Sequence, residues 1–443
     1  MVKSVKKISI VPIAFVVCVL VLMVQQALEN KVGDIFGLLR YADKFFLACM
    51  LILVLYRAID NKVMVPFTFQ YAAIFIVFGV VSLLVNYPSR ILYGAAQILL
   101  VLQGFIALFL LSNAKIKKRD VDFVIRVFIL LGVITFMIAV VELVAPDAVR
   151  QVLHGGKVHE TALSRGEYSA VQSIFGHPGM FSWYMAFCFC ITLSLYIANT
   201  SSKNSTLYIF LAAIFFVGVL ISLRRKSLIG CIVCGFLAFI LRGGKSKSSL
   251  ILIGVFVFVF VSYLLANGEK LMYLVESAKS GYDFSSSYYV GPRVELSKTA
   301  VEIANDHFPL GTGFGTFGSW YSRIEYSPVY REYYLDGYWG LSEDDPSFIN
   351  DTFWPMIIAE VGWFGFVAYV LLLVSMFKKL LKIGFDKDEF SVYRMISVLI
   401  IVELILESIA SPSLSRSPQI FFVMCLVGMI FSAWRLDKLG RAI

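Results

Sequence analysis

Charged side chains are scarce in this sequence, and that scarcity sets the class of protein. Of 443 residues, 16% are Asp, Glu, Lys or Arg, whereas 59% are hydrophobic. Soluble globular chains carry about 25% charged residues. One soluble core cannot bury this much apolar surface, so a soluble domain is excluded and a polytopic membrane protein is predicted.

Cysteine is also sparse, and no cysteine lies in the long polar segment, which must be solvated. All seven cysteines fall in apolar runs, which argues against a disulfide framework. Cys231 and Cys234 have the spacing of a redox pair, but their position in an apolar run favours plain helix packing. The acidic triplet Glu343–Asp345 lacks the alternating oxygen ligands of a calcium loop. We therefore expect no cofactor and no metal.

Long apolar runs are what the sequence has in abundance. A run of about 20 residues crosses ~30 Å of hydrocarbon as a helix. Such runs lie at 8–26, 41–57, 66–85, 91–111, 123–143, 179–198, 206–222, 227–241, 249–265, 354–377, 391–410 and 418–434. The first is interpreted as an uncleaved span, because no small-residue cleavage site follows it. The predicted fold is all-α, with about twelve transmembrane helices and one long, partly helical extracytoplasmic loop.

The distribution of charge predicts how these spans are oriented. The net charge is +9, yet residues 266–352 carry 13 acidic and 6 basic residues, a net of −7 against +16 elsewhere. Every second connection is rich in Lys and Arg, which indicates membrane orientation rather than nucleic-acid binding. We expect helices 1–9 in residues 1–265, a periplasmic loop at 266–352 and helices 10–12 in residues 353–443. Both termini are predicted to be cytoplasmic, in a bacterial inner membrane.

One outer connection opposes the charge rule. The very short turn Leu223–Ser227 contains three consecutive cations, Arg224, Arg225 and Lys226. These cations fit an anion-binding cluster, because the planar fork of arginine makes paired hydrogen bonds to phosphate. Misplaced span boundaries or cations that bind lipid headgroups are the alternatives.

The long loop contains a second cation in an unusual place. The pattern from Pro292 to Asp306 predicts an amphipathic helix with Pro292 in its first turn. Arg293 then lies where the helix dipole disfavours a cation, unless an anion binds there. The alternative is an ordinary solvated arginine. Arg293 is therefore a second phosphate candidate.

A glycine-rich segment follows this helix, with Gly311, Gly313 and Gly315 at alternate positions. It has neither the preceding strand nor the following lysine of a nucleotide loop. It is instead interpreted as a tight turn near a substrate or a helix end. The loop is also rich in Tyr and Trp, which predict a small core, an interfacial belt or a sugar-binding face.

Four polar side chains next to or inside apolar runs are further candidates. Glu360, Glu403 and Glu407 should face protein or a cavity, and pairing with basic groups that lock helices is the structural alternative. His177, in a Gly-His-Pro turn before the sixth run, either marks the membrane interface or reaches a substrate.

Taken in chain order, these motifs resemble the O-antigen polymerase/ligase superfamily (Wzy-type). The resemblance rests on the sequences around Phe175–Gly179, Ser222–Ser227, Arg293–Ala300, Pro309–Phe317 and Asp351–Gly362. It covers residues 170–365 by motif and the earlier spans by topology alone. Asp351 stands where ligase-like members carry histidine, so a histidine base of the ligase type is in doubt.

The resemblance implies a glycosyltransferase that acts at the outer face on a polyprenyl-diphosphate-linked oligosaccharide. Arg224, Arg225, Lys226 and Arg293 would hold the diphosphate, and Asp351 is favoured over His177 or His307 as the base. Gly311, Gly313 and Gly315 would form a substrate loop, with Glu360 in a supporting role. A flippase and a chain-length regulator are the implied partners. Polymerisation of repeat units into surface polysaccharide is favoured; transfer to a lipid A core and transport of lipid-linked sugars are the alternatives.

Overall fold

The computed structural model of this protein describes residues 8–32, 34–59, 63–156, 164–165, 168–198, 204–241, 291–383 and 389–441. Within these ranges the chain is a helical bundle capped at one end by residues 291–353, which we call the cap. Its strands are a single antiparallel pair, β1 (Ser164–Arg165) and β2 (Tyr168–Ser169). The helical class is confirmed over these residues.

The helices follow the predicted runs closely. In chain order they are α1 (Ile10–Val32), α2 (Ala42–Ala58), α3 (Phe69–Asn86), α4 (Ile91–Ser112), α5 (Lys118–Val144), α6 (Pro146–His154), α7 (Pro178–Ala198), α8 (Ser205–Ile221), α9 (Arg225–Leu241), α10 (Pro292–Asp306), α11 (Trp320–Ile324), α12 (Val329–Glu332), α13 (Trp354–Leu380), α14 (Ser391–Glu407) and α15 (Gln419–Arg441). Short 3-10 helices at Asp34–Tyr41 and Pro88–Arg90 precede α2 and α4.

A helix lies at each predicted span except the ninth, 249–265, which is outside the described residues. Seven of the described helices are long and apolar enough to cross a membrane, namely α1, α3, α4 with the 3-10 turn before it, α5, α7, α13 and α15. The multi-pass membrane class is thus confirmed. The number of about twelve spans and the domain boundaries at 265 and 352 remain predictions.

Burial separates a central pair of helices from an outer ring. In α7 and α15, 83% of the apolar window is buried, whereas in α3 and α5 only 28% is. Large apolar side chains on the outer helices are exposed, as lipid contact requires. The centre of the bundle therefore lies along α7 and α15.

The cap has a small core of its own. The predicted helix from Pro292 to Asp306 is confirmed as α10, and its apolar face packs on aromatic residues of the loop. This core consists of Leu296, Ala300, Ile303, Phe317, Val329, Tyr330, Leu335, Leu341, Ile349 and, from α13, Ala359. The expectation that some loop aromatics form a core is therefore correct, and the core fixes α10 above the start of α13.

Candidate active site

Arg293 and Asp351 lie together at the surface of the cap. Arg293 is in the first turn of α10, and Asp351 lies just before α13. Nε of Arg293 donates to Oδ2 of Asp351 at 2.7 Å, and Nη2 contacts the same oxygen. Their side chains remain 39% and 30% exposed, so a solute can reach the pair. The sequence predicted an anion next to Arg293, because a helix N-terminus disfavours a lone cation. In the structure that anion is the carboxylate of Asp351.

Two further arginines lie beside this pair. Nη1 of Arg323 in α11 is 3.4 Å from Oδ1 of Asn350, the neighbour of Asp351. Arg416 lies between α14 and α15 and keeps part of its surface open to solvent, although protein atoms crowd around it. Desolvation by the surrounding protein lowers the pKa of Arg416, the negative charge of Asp351 opposes that shift, and the positive charge of Arg323 adds to it. One guanidinium group thus contacts the carboxylate of Asp351 and two more lie near it, so the cluster has surplus positive charge.

Sequence reasoning missed Arg323 and Arg416 as site residues. The available signal was weak: an arginine on the side that should be poor in cations. Its proximity to Asp351 is tertiary, because 65 positions of chain separate the two residues in the sequence.

The cationic turn after α8 differs from its predicted form. The turn itself is short, with Leu223 at φ 55°, and Arg225 already begins α9. Arg225 and Lys226 therefore occupy the first turn of a helix, as Arg293 does. Nζ of Lys226 is 2.8 Å from Oε2 of the buried Glu407, and the hydroxyl of Ser227 donates to the other oxygen. The predicted alternative, pairing with a basic group, is confirmed for Glu407.

Glu407 connects the cationic turn to the segment that carries Arg416. The hydroxyl of Ser411 donates to the backbone carbonyl of Glu407 at 2.8 Å. Nε1 of Trp354, the first residue of α13, donates to Ser408 at 3.0 Å. The turn after α8, the segment after α14 and the start of α13 thus meet at the cap end of the bundle. Within the described ranges, no ion pair links Lys226 or Glu407 directly to Arg293 or Asp351.

The glycine-rich segment is buried against a broken helix. Gly362 interrupts α13 with φ 65°, and a Cβ there would lie 2.3 Å from the carbonyl oxygen of Leu310. The break frees two carbonyls of α13. Ala359 accepts from N–H of Thr312 at 2.9 Å, and Glu360 accepts from N–H of Gly313 at 2.7 Å. The glycine-rich turn therefore packs against a break in a helix. This agrees with the prediction of a tight turn near a helix end.

Glu360 is the anchor of this turn rather than an exposed acid. Its Oε1 accepts backbone N–H groups of Gly315, Thr316 and Phe317 at 2.8, 3.0 and 3.3 Å. Gly311, Gly313 and Gly315 are buried, and added Cβ atoms would meet the backbone of α13, α3 and the start of α4. Close packing therefore accounts for the glycines, and their contact with substrate remains a prediction.

His177 is exposed in the turn that precedes α7. Gly179 donates its backbone N–H to Nδ1 of His177 at 3.0 Å, so this ring nitrogen accepts a hydrogen bond. In the neutral imidazole the proton is then on Nε2, which becomes a donor. This geometry suits a helix cap better than a general base. Among the described residues, no group of three or more His, Cys, Asp or Glu is placed to hold a metal ion.

Part of this chain is similar to one known protein family. Residues 209–370 match the family model described as O-antigen ligase (Wzy_C). No curated protein matches the chain. Members of this family transfer glycosyl groups from lipid-linked polysaccharide substrates in a membrane.

The matched region runs from α8 to the middle of α13, and so includes the cationic turn, α10, the glycine-rich segment, Asp351 and Glu360. The match confirms the resemblance to the O-antigen polymerase/ligase superfamily over the region that contains the candidate site.

Proposed function

We propose that this protein polymerises polyprenyl-diphosphate-linked oligosaccharide repeat units into surface polysaccharide, such as O-antigen, capsule or exopolysaccharide. The proposal rests on one observation above all: Arg293 and Asp351 form a solvent-accessible ion pair inside the family-matched region, beside Arg323 and Arg416. A surplus of fixed cations next to a carboxylate suits a reaction that releases a diphosphate.

In the proposed reaction, a hydroxyl oxygen of the acceptor sugar attacks the anomeric carbon of the donor. The bond from that carbon to the diphosphate oxygen breaks, and polyprenyl diphosphate leaves with the electron pair. Because negative charge grows on the diphosphate, preorganised donors aimed at it lower the barrier. Arg293 and Arg416 are assigned this role, with Arg323 beside them. The proton of the attacking hydroxyl passes to Asp351.

The ion pair suggests how donor binding prepares the base. Both nitrogens of Arg293 that contact Asp351 are also the atoms that a diphosphate would use. A diphosphate on Arg293 therefore competes with Asp351 for the same guanidinium group. The displaced carboxylate keeps its charge and becomes free to accept the proton. His177 is the second and weaker candidate for the base, because its Nδ1 already accepts the N–H of Gly179.

The cationic turn completes the proposed diphosphate site. Glu407 fixes Lys226 and Ser227 by direct contacts, so Arg224 and Arg225 lie on a turn whose helix is held in place. Glu360 has a supporting role, since it holds the glycine-rich turn that joins α10 to the rest of the cap. These roles extend the site without any metal or cofactor.

Transfer of the finished chain to a lipid A core is the second candidate function, because the matching family is described as O-antigen ligase. Asp351 favours polymerisation, because ligase-like members carry histidine at this position. The proposed setting is a bacterial inner membrane with the cap in the periplasm and both termini in the cytoplasm. A flippase and a chain-length regulator are the proposed partners.

An assay with the full-length protein in liposomes separates the candidates. The liposomes contain polyprenyl-diphosphate-linked repeat units, with or without lipid A core. A polymerase produces a ladder of longer carrier-linked chains without lipid A core. A ligase produces nothing until lipid A core is added. If neither lipid-linked chains nor lipid A products form, both enzymatic proposals fail.

A further inference from the structure

An exposed tryptophan lies beside the candidate active site. Trp320 begins α11 and is 45% exposed. The guanidinium group of Arg323, one turn later, lies over its ring, with Cζ 5.9 Å from the ring centroid. Nη1 of Arg323 is 3.4 Å from Oδ1 of Asn350, the residue before Asp351. The side chain of Arg323 therefore links the indole to the segment that carries the proposed base.

The short helix α11 is fixed on its buried side. The hydroxyl of Ser322 is 2.8 Å from the hydroxyl of the buried Tyr330. Nη2 of the buried Arg90 donates to the carbonyls of Tyr321 and Glu325 at 3.3 and 2.7 Å. An aromatic side chain on a fixed support loses little freedom when a ligand binds, so little of the contact energy is spent on ordering.

Arg323 has donors to spare for a ligand. A guanidinium group carries five N–H donors. In the described part of the chain, Nη1 makes the one hydrogen bond of this side chain, a long one to Asn350. Arg323 is only partly buried, so its remaining N–H groups can reach a solute.

The indole and the guanidinium group together match the two kinds of surface on a sugar ring. The face of a pyranose ring carries C–H bonds, which pack on an aromatic face, and its rim carries hydroxyl groups, which accept from N–H donors. Small-molecule sites combine apolar or aromatic contact with a few polar groups that fix orientation. A tryptophan that only anchors the chain at the membrane interface needs neither such donors nor a carboxylate nearby.

We propose that Trp320 and Arg323 form the subsite for the terminal sugar of the acceptor oligosaccharide. The sugar ring stacks on the indole, its rim accepts hydrogen bonds from Arg323, and its attacking hydroxyl lies towards Asp351. This inference rests on the proposed function, since it assigns the binding of one substrate of that reaction. Arg293 and Arg416 remain the groups that hold the diphosphate. Trp320 thus selects and orients the acceptor and takes no part in bond breaking.

The test measures binding of the free oligosaccharide that mild acid releases from the lipid-linked repeat unit. Full-length protein in nanodiscs is titrated with it, and saturation-transfer NMR gives the dissociation constant. The wild type should bind the oligosaccharide, with the strongest saturation at C–H protons of the sugar at the non-reducing end. Trp320→Leu keeps an apolar side chain but loses the aromatic face, and should bind about tenfold more weakly. Trp320→Phe keeps a smaller aromatic face and should lie between the two.

Two further variants complete the design. Arg323→Gln leaves the indole in place and should also bind about tenfold more weakly, because it removes charged donors. It decides the matter if Trp320→Leu fails to fold. Tyr334→Leu is the matched control, because Tyr334 is an aromatic residue of the cap that is 89% exposed. Within the described residues, no hydrogen bond or ring contact joins its side chain to the proposed subsite. Its affinity should equal that of the wild type.

The outcomes separate this inference from the proposed function. If Trp320→Leu or Arg323→Gln binds the oligosaccharide as tightly as the wild type, the subsite is wrong, while chain extension by the wild type still supports the polymerase. If both variants lose binding but the wild type extends no chain, the subsite stands and the polymerase fails. An equal loss of affinity in Tyr334→Leu, or saturation confined to the reducing end, would also overturn the subsite. Unchanged affinity with a lower yield of Trp320→Leu in membranes would make Trp320 an interface anchor only.

Discussion

Arg293 and Asp351 are 58 residues apart in the chain and form an ion pair 2.7 Å long at the surface of the cap. The pair joins the first turn of α10 to the segment that leads into α13. It brings a cation that helix electrostatics disfavours next to the carboxylate that compensates it. In the proposed chemistry the two groups separate: Arg293 binds the diphosphate, and Asp351 accepts the proton.

Arg416 should matter to turnover although no sequence motif singles it out. Arg416→Ala removes a guanidinium group beside Asp351 and should lower the rate of chain extension by about a hundredfold, as for loss of one preorganised donor. Arg416→Lys keeps the charge but loses the planar fork, and should give an intermediate rate. The measurement is the initial rate with purified protein and lipid-linked repeats, paired with titration of pyrophosphate by calorimetry.

Arg331→Ala is the control for Arg416. Arg331 pairs with Glu343 at the cap surface, and both side chains are more than half exposed, at 60% and 58%. Such pairs contribute about 0–1 kcal/mol to stability. Wild-type rates for Arg331→Ala alongside wild-type rates for Arg416→Ala would remove Arg416 from the site.

The buried pair of Lys226 and Glu407 should be a strong determinant of stability. Glu407→Gln leaves Lys226 without its charge partner in a protein interior, at a cost of about 3 kcal/mol. The melting temperature of the detergent-purified protein should fall clearly. The double variant Lys226→Gln, Glu407→Gln should recover much of the loss, because no charge remains unpaired.

Glu343→Gln is the matched control, since it breaks an ion pair that water surrounds. Its melting temperature should stay near that of the wild type. A double variant that is less stable than Glu407→Gln alone would show that the two side chains act independently, contrary to this account.

Gly362 should tolerate no side chain. Its φ of 65° and a Cβ position 2.3 Å from the carbonyl oxygen of Leu310 make Gly362→Ala costly, by about 2 kcal/mol or more. Gly337→Ala, in the cap, is a matched control, because nothing lies within 4 Å of its added Cβ. Gel-filtration yield and melting temperature of both variants test this difference. Equal behaviour would mean that the break in α13 does not hold the glycine-rich turn.

The cap should lose internal stability in alkali. Burial, followed by the negative charge of Asp336, raises the pKa of Tyr326 to about 12, and its hydroxyl donates to the carbonyl oxygen of Leu341 at 2.9 Å. A raised pKa means that the folded state favours the protonated phenol. Its stabilisation is therefore complete below pH about 10, the model-peptide value, and is lost as the pH rises from there through about 12.

Tyr326→Phe removes the titrating group and should flatten the dependence of melting temperature on pH in that range. At neutral pH the variant loses one hydrogen bond, worth about 1 kcal/mol. Tyr334→Phe, with a side chain 89% exposed, is the comparison. An unchanged alkaline slope in Tyr326→Phe would remove Tyr326 from this effect.

Local patterns in the sequence predicted the helices well. They did not predict contacts between residues that are distant along the chain. The helix from Pro292 to Asp306 was predictable because its proline start and apolar face lie within 15 residues. The pairing of the glycine-rich turn with Gly362 was not, because it joins segments 50 residues apart through freed backbone carbonyls.

The buried Arg90 shows the same limit. Its Nη2 donates to the carbonyls of Gly315, Tyr321 and Glu325 at 3.2, 3.3 and 2.7 Å. It braces the cap against α4. Such a role depends on which segments the fold brings together. The spacing of residues along the chain does not predict those contacts.

The most direct test of the central claim is the initial rate of chain extension by the purified, reconstituted protein with a polyprenyl-diphosphate-linked repeat unit as the sole sugar substrate. Wild-type protein and Arg331→Ala should extend the chain at equal rates. Arg293→Ala and Asp351→Asn should each be slower by at least about a hundredfold, while their melting temperatures stay within a few degrees of the wild type. Extension at the wild-type rate by Arg293→Ala or by Asp351→Asn would contradict the proposed site.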